Sequence, residues 1–135
     1  MRTVLVVAAV VVENGRVLVT QRKVGTHLAG AWEFPGGKLL PGEDPRAGLR
    51  RELREELGID TTIGEIIDVT FHEYPEVDKA VLLMFFEAQR TTSSRDPEAL
   101  DVAAFAWFGA RDLDPERFPP ADVSILEKAK KRLKD

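Results

Sequence analysis

The chain has no cysteine. That excludes disulfides, thiolate zinc sites and cysteine nucleophiles, and it suits a reducing compartment. It also has no apolar run of membrane-spanning length. The longest, Val4 to Val12, is nine residues, against the roughly 20 that a spanning helix needs. That run passes directly into Glu13-Asn14-Gly15-Arg16 with no small-residue cleavage site, so it reads as a buried strand rather than a leader. Repeats and low-complexity tracts are missing too. So is an excess of positive charge. A net charge of −4 gives the surface no general attraction for nucleic acid or acidic membranes, and a polyphosphate ligand would need local Lys/Arg or metal ions. A cytoplasmic monomer or homodimer with no stable nucleic-acid partner and no membrane partner is expected.

What is present suits one domain over residues 1–135, with 44% hydrophobic and 31% charged residues. Residues 3–13 are valine-rich with apolar groups on both faces, which predicts a central strand covered on both sides. Asn14-Gly15 predicts a tight type I′ hairpin and a returning strand over Arg16 to Arg22. Residues 24–31 read as a loop, and Trp32-Glu33-Phe34-Pro35 as a short extended piece. Ile66 to His72 alternates, with Ile67, Val69 and Phe71 against Asp68, Thr70 and His72, so a half-exposed strand is expected there. Tyr74 to Lys79 reads as a connection and Val81 to Ala88 as an apolar strand. Residues 91–99 form a polar loop, after which Asp101, Ala103, Phe105 and Trp107 share one strand face. A last helix is expected from about Ala121 to Leu133, with Asp122 at its start and Lys128, Lys130, Lys131, Arg132 and Lys134 at its end. The order suggests an α/β (α+β) fold with a mixed sheet between helices. His27 and His72 read as a loop and a strand histidine, with nothing to pair them as metal ligands.

The densest chemistry lies between residues 36 and 59. Gly36-Gly37 permits close backbone approach. Asp44-Pro45 is a helix start, as N-cap and first helical residue, and Gly58 closes the helix. Leu49, Leu53 and Leu57 form its buried stripe. At about 100° per residue, Glu52, Glu55 and Glu56 share an arc of roughly 100° beside that stripe. Gly48 falls in the same arc and is expected to leave it uncrowded. Like charges at this spacing destabilise a helix. Two readings follow: Arg50, Arg51 and Arg54 offset the acids as surface pairs, or the acids hold a hard cation such as magnesium against a diphosphate.

Gly37, Glu43 six residues on, and then Arg51-Glu52-Leu53-Arg54-Glu55-Glu56-Leu57-Gly58-Ile59 match the Nudix box at every defined position. The chain therefore resembles the Nudix hydrolases, whose fold is an α/β/α sandwich. Their activity is metal-dependent hydrolysis of nucleoside diphosphates linked to another group. The resemblance implies Mg2+ (Mn2+ as a substitute) bound by Glu55, Glu56 and the Gly37 carbonyl, with Glu52 as ligand or general base. It implies that Arg51 orients Glu52 and that Glu43 has a supporting role. Trp32-Glu33-Phe34-Pro35-Gly36-Gly37-Lys38 and Phe118-Pro119-Pro120-Ala121-Asp122 extend it to the MutT-type and CTP pyrophosphohydrolase-like branch. There a further acid joins the metals, for which Asp101 is the candidate and Glu98 the runner-up. Arg22 and Phe34 match positions that contact the nucleotide, and Lys38 is a candidate phosphate contact.

Asp122 departs from the asparagine of the MutT-type pattern. An ionised aspartate only accepts, which leans toward cytosine-type bases unless the residue is simply a helix N-cap. Tyr74 and Pro75 sit where other Nudix substrates have their markers and carry little weight. The implied activity is pyrophosphohydrolysis of nucleoside triphosphates, with sanitation of damaged nucleotides as its purpose. The alternatives are ADP-ribose, a nucleotide sugar or a dinucleoside polyphosphate as substrate, or a non-catalytic binding module.

Overall fold

Strand β1 (Arg2–Glu13) runs through the middle of a seven-stranded mixed sheet in a computed structural model that describes residues 1–133. The hairpin at Asn14-Gly15 forms as expected, with both residues at positive φ (52° and 73°). It returns as β2 (Arg16–Gln21), so Arg22 stands just past the strand end. β3 (Trp32–Glu33) pairs with β2, and β4 (Gly36–Lys38) pairs with β1. Then come α1 (Pro45–Leu57), β5 (Thr61–Tyr74), β6 (Lys79–Arg90), β7 (Ala104–Phe108) and α2 (Val123–Arg132). β6 runs parallel to β1, and β5 antiparallel to β6 on the outside.

β1 is buried on both faces because each face meets a different helix. Val7, Ala9 and Val11 pack with Leu49, Leu53 and Leu57 of α1. Ala8 and Val10 pack with Ile125, Leu126 and Ala129 of α2. The alternation of a strand thus feeds two cores at once. The α1 caps are as expected. The Asp44 carboxylate accepts from Ala47 N–H at 3.0 Å, and Gly58 is left-handed at φ 69°. No helix among the described residues is long and apolar enough to cross a membrane.

Four expectations are corrected. β7 begins at Ala104, so Asp101 and Ala103 precede the strand instead of sharing its face. α2 begins at Val123 after a 3-10 turn over Pro120–Asp122, and the Asp122 carboxylate makes no cap hydrogen bond. Lys134 lies outside the described residues. Gly48 does not open the acidic arc: a Cβ there would come within 2.5 Å of Leu39 and 2.8 Å of Glu43, so it admits the 39–43 loop against the helix. Finally, β5 is longer than 66–72 and irregular at 66–68, where register shifts against β6 mark a bulge. Ile67 packs toward the α2 core, while Val69 and Phe71 emerge exposed on the other face. One inserted residue is enough to exchange the faces of everything beyond it.

The β1–β4 approach leaves no room for a side chain at Gly36. Gly36 lies opposite Ala8, and a Cβ on Gly36 would sit 1.9 Å from the Val7 carbonyl oxygen. We predict that Gly36→Ala lowers the unfolding free energy in urea by about 2–3 kcal/mol. A loss under about 0.5 kcal/mol would show that β4 can move off β1 at little cost.

Candidate active site

Helix α1 and strand β4 bring the box residues together around one side chain, Arg51. Its guanidinium donates to Glu43 twice (Nε to Oε2 at 2.8 Å, Nη2 to Oε1 at 2.9 Å). It also donates to Glu52 Oε1 at 3.0 Å, Glu55 Oε2 at 3.1 Å and the Lys38 carbonyl at 3.1 Å. Two parallel donors to one carboxylate are the strong form of this contact. They hold the Glu43 carboxyl far down, at about 2, with help from the Leu40 amide. Glu43 therefore ties the loop to the helix and stays ionised, the supporting role expected of it.

The three arc glutamates differ. Glu55 is exposed and meets only Arg51. Glu52 is drawn up by burial and held down in part by Arg51. Its carboxylate lies against Gly37, where a Cβ would come within 2.4 Å of it. Glu56 accepts the Gly36 N–H at 3.1 Å and has no ion-pair partner among the described residues. Burial pushes its carboxyl up to about 9, aided by the charges of Glu33, Glu52 and Asp101. The surface-pair reading thus accounts for Glu52 and Glu55 but not for Glu56.

Glu52 and Glu56 line a cleft of about 350 Å³. Gly37, Lys38, Arg22, Phe34 and Asp122 line it as well, so one cavity gathers most of the predicted site. Arg22 donates to the His27 carbonyl at 2.7 Å and to both oxygens of Glu33 at 3.2 Å. Phe34 is buried, its ring stacked on Phe118 at 5.7 Å and edge-on to Phe85 at 5.9 Å, so it is core that forms part of the cleft wall. Lys38 is exposed at the rim. Asp122 is 5% exposed. Burial first, then the Glu33 charge, pushes its carboxyl well up, against the Phe34 amide and Arg22, which favour the ionised form.

Asp101 stands apart, exposed and paired with Lys23. Its backbone N–H donates to the Glu56 carbonyl at 3.2 Å, and its charge reaches Glu56. Glu98 is tied only through its backbone, to the Leu57 carbonyl at 3.0 Å, with its side chain exposed.

Two cleft residues, Glu33 and Lys79, were not singled out from the sequence, and a third, Tyr74, was set aside. Glu33 faces inward between Glu56 and Asp122 and raises the pKa of both. It stands beside residues that were selected, and an acid before Phe34-Pro35 was the signal available. Lys79 opens β6, and its amine is pushed down by burial and then by Lys38, Arg22 and Arg2, which marks a positive rim. Tyr74, given little weight, is buried against the rings of His27 and His72 and accepts the Ala121 N–H at 3.2 Å.

A NUDIX domain model matches residues 1–129. The chain belongs to the Nudix family. It is 35% identical over 127 residues to the CTP pyrophosphohydrolase of Escherichia coli (strain K12), covering 94% of this chain and 91% of that protein. It is 31% identical over 119 residues to the 8-oxo-dGTP diphosphatase of the same organism, covering 88% and 89%. The crystal structure of a MutT Nudix hydrolase from Burkholderia pseudomallei superposes with a TM-score of 0.81 at 26% identity, covering 94% and 98%. The Nudix fold, a mixed sheet with two helices, is thus shown, and the chain is a Nudix hydrolase.

Nudix hydrolases generally require a divalent metal. The donor set here suits a hard cation: three carboxylates and the Gly37 carbonyl. Glu56, half-buried among acids, is the group that most lacks a positive partner. Among the described residues no three acid or histidine side chains stand close enough together to hold a metal ion. Glu55 would have to turn from Arg51 to do so.

The Glu56 shift has a stability consequence. Its folded value, about 9, lies above its ordinary 4.5. This group's stabilising contribution is therefore full below 4.5 and lost as pH rises through about 9. Without metal, Glu56→Gln should exceed the parent in unfolding free energy by about 1–3 kcal/mol near pH 9, and the gap should close near about pH 4. An unchanged gap across that range in chemical denaturation would contradict the shift.

Proposed function

We propose that the chain is a magnesium-dependent pyrophosphohydrolase that converts a nucleoside or deoxynucleoside triphosphate and water to the monophosphate and pyrophosphate. The observation that carries this is the cleft itself. Glu52 and Glu56, the cations Arg22, Lys38 and Lys79, and the buried Asp122 all border one cavity. Its volume, about 350 Å³, is that of a small-molecule site. The relatives named above act on triphosphates of just this class.

The residues divide the work. Lys38 and Lys79 hold phosphate oxygens, and Arg22, fixed by Glu33, borders the nucleoside. Glu52 takes the proton of the attacking water. It lies in the cleft, and its raised pKa makes it a better base than an exposed carboxylate. Glu56, Glu55 and the Gly37 carbonyl would hold the divalent cation, and Asp101 would join them on leaving Lys23. When bound, that cation supplies charge neutralisation on the phosphates and stabilises the leaving oxygen. Arg51 keeps Glu52 oriented and stabilises the loop through Glu43.

Asp122 reads the base. Its environment favours the protonated acid, which both donates and accepts, as an asparagine would. The lean toward cytosine rested on an ionised, purely accepting group. With that removed, oxidised guanine and cytosine-type triphosphates are both fitting substrates, and sanitation of modified nucleotides is the fitting role.

A panel of ordinary and modified triphosphates, scored with magnesium for monophosphate and pyrophosphate, tests this. Glu56→Gln should lower kcat by about a thousandfold on every substrate. A preference for ADP-ribose over all triphosphates would contradict the substrate class. Asp122→Asn should keep turnover of the best substrate within about tenfold, while Asp122→Ala changes the order of bases. Equal loss on every base would deny Asp122 a reading role.

A further inference from the structure

We propose that the outer edge of β5 and the apolar face beside it form the seam of a homodimer, in which two β5 strands pair antiparallel about a twofold axis at Thr70. β5 ends the sheet, and among the described residues no strand pairs with its outer side. The Val69 N–H donates instead to the carboxylate of its own neighbour, Asp68, at 3.0 Å. Long edge strands are usually protected by lysine, proline or a bulge. Residues 61–74 contain no lysine, arginine or proline. The register shifts between 63 and 68 interrupt the first half of the strand and leave 68–74 regular.

The face next to this edge is apolar and uncovered. Helix α1 packs over Ile63 and Phe86, and the sheet continues beyond it. Phe71, Leu82 and Leu5 form one row across three strands, and Val69 with Met84 begins the next. Phe71 is 56% exposed, Val69 52% and Leu5 46%. A contiguous apolar surface of this kind marks an interaction site.

The strand's own sequence selects a second copy as the occupant. Partners across an antiparallel pair share a face, so a symmetric pair can centre only on a residue. Centred on Thr70, Phe71 lies opposite the partner's Val69, and His72 opposite the partner's Asp68. Both kinds of pair are favourable, and no like charges meet. Centred on Phe71, Val69 would face the partner's Glu73. Centred on Val69, the pairing would run into the bulge. In the Thr70 register the Val69 N–H finds the partner's Phe71 carbonyl, and Asp68, held by Ser124 and Lys128 of α2 at 3.1 Å each, presents its charge to the partner's His72. The two apolar rows then join across the axis into one surface.

Sedimentation velocity of the full chain over a wide concentration range should show a dimer. The double variant Val69→Lys, Phe71→Lys should weaken it by about a hundredfold or more. Its circular dichroism and its triphosphate hydrolysis per chain should not change, since neither residue touches the cleft. In a chain without cysteine, Thr70→Cys should give a disulfide-linked dimer on mild oxidation and Thr62→Cys should not. A monomer at every concentration, a dimer that survives the double variant, or cross-linking at 62 instead of 70 would overturn the proposal.

Discussion

The arginine at position 51 is the constraint on which the site depends. One guanidinium meets three carboxylates and a carbonyl from two segments of chain. With Glu43 it closes the 38–43 loop onto α1. With Glu52 and Glu55 it neutralises two of the three acids that the helix presents together. Without some cation those acids would repel one another at helical spacing. Arg51 answers that repulsion in the metal-free protein and leaves Glu56 as the one acid with no cation paired to it. The glycines complete the arrangement. Gly36 lets β4 lie against β1, and Gly37 leaves room for the Glu52 carboxylate beside the backbone.

Electrostatics also divides the residues of the cleft. Glu56, Glu33 and Asp122 are buried or half-buried acids, each raised by burial, and Glu33 raises the other two further while Arg22 holds Glu33 down. Arg22 is the guanidinium paired among them, and it is held by Glu33. On the proposed reading, a polyphosphate with its cation would meet Glu56, where charge is unbalanced, and a base edge would meet Asp122, whose carboxyl is pushed well up by burial. The division follows from low dielectric surroundings more than from any single contact. It also explains why an acidic protein can hold an anion: the positive rim of Lys38, Lys79 and Arg22 is local.

Much of this was legible in the residues. Asn14-Gly15, Asp44-Pro45, Gly58 and the leucine stripe each carry a local rule, and each formed as read. The spacing of the box placed Glu52, Glu56, Gly37 and Arg51 together, and Arg22, Phe34, Lys38 and Asp122 proved to line the same cleft. What was not legible depends on contacts distant in sequence. The bulge at 66–68 follows from fitting β5 to β6, and it turned Val69 and Phe71 outward against a clean alternation. Gly48 serves the loop that crosses it, which no helical wheel shows. The state of Asp122 depends on burial and on the charge of Glu33, 89 residues earlier in the chain, against the Phe34 amide. Glu33 and Lys79 matter through the cavity they enter, and local pattern does not report a cavity.

The central claim is that a divalent cation would replace Arg51 as the partner of Glu55 and relieve Glu56, while Arg51 keeps Glu52 oriented. Carbon-13 NMR of the glutamate side-chain carboxyls during a magnesium titration observes it directly. The account predicts that the Glu55 and Glu56 signals move together, that the Arg51 guanidinium loses its contact with Glu55 while keeping Glu43 and Glu52, and that the Glu56 carboxyl falls from about 9 toward its ordinary range. Saturation with magnesium that leaves the Arg51 contacts and the Glu56 titration unmoved would contradict it.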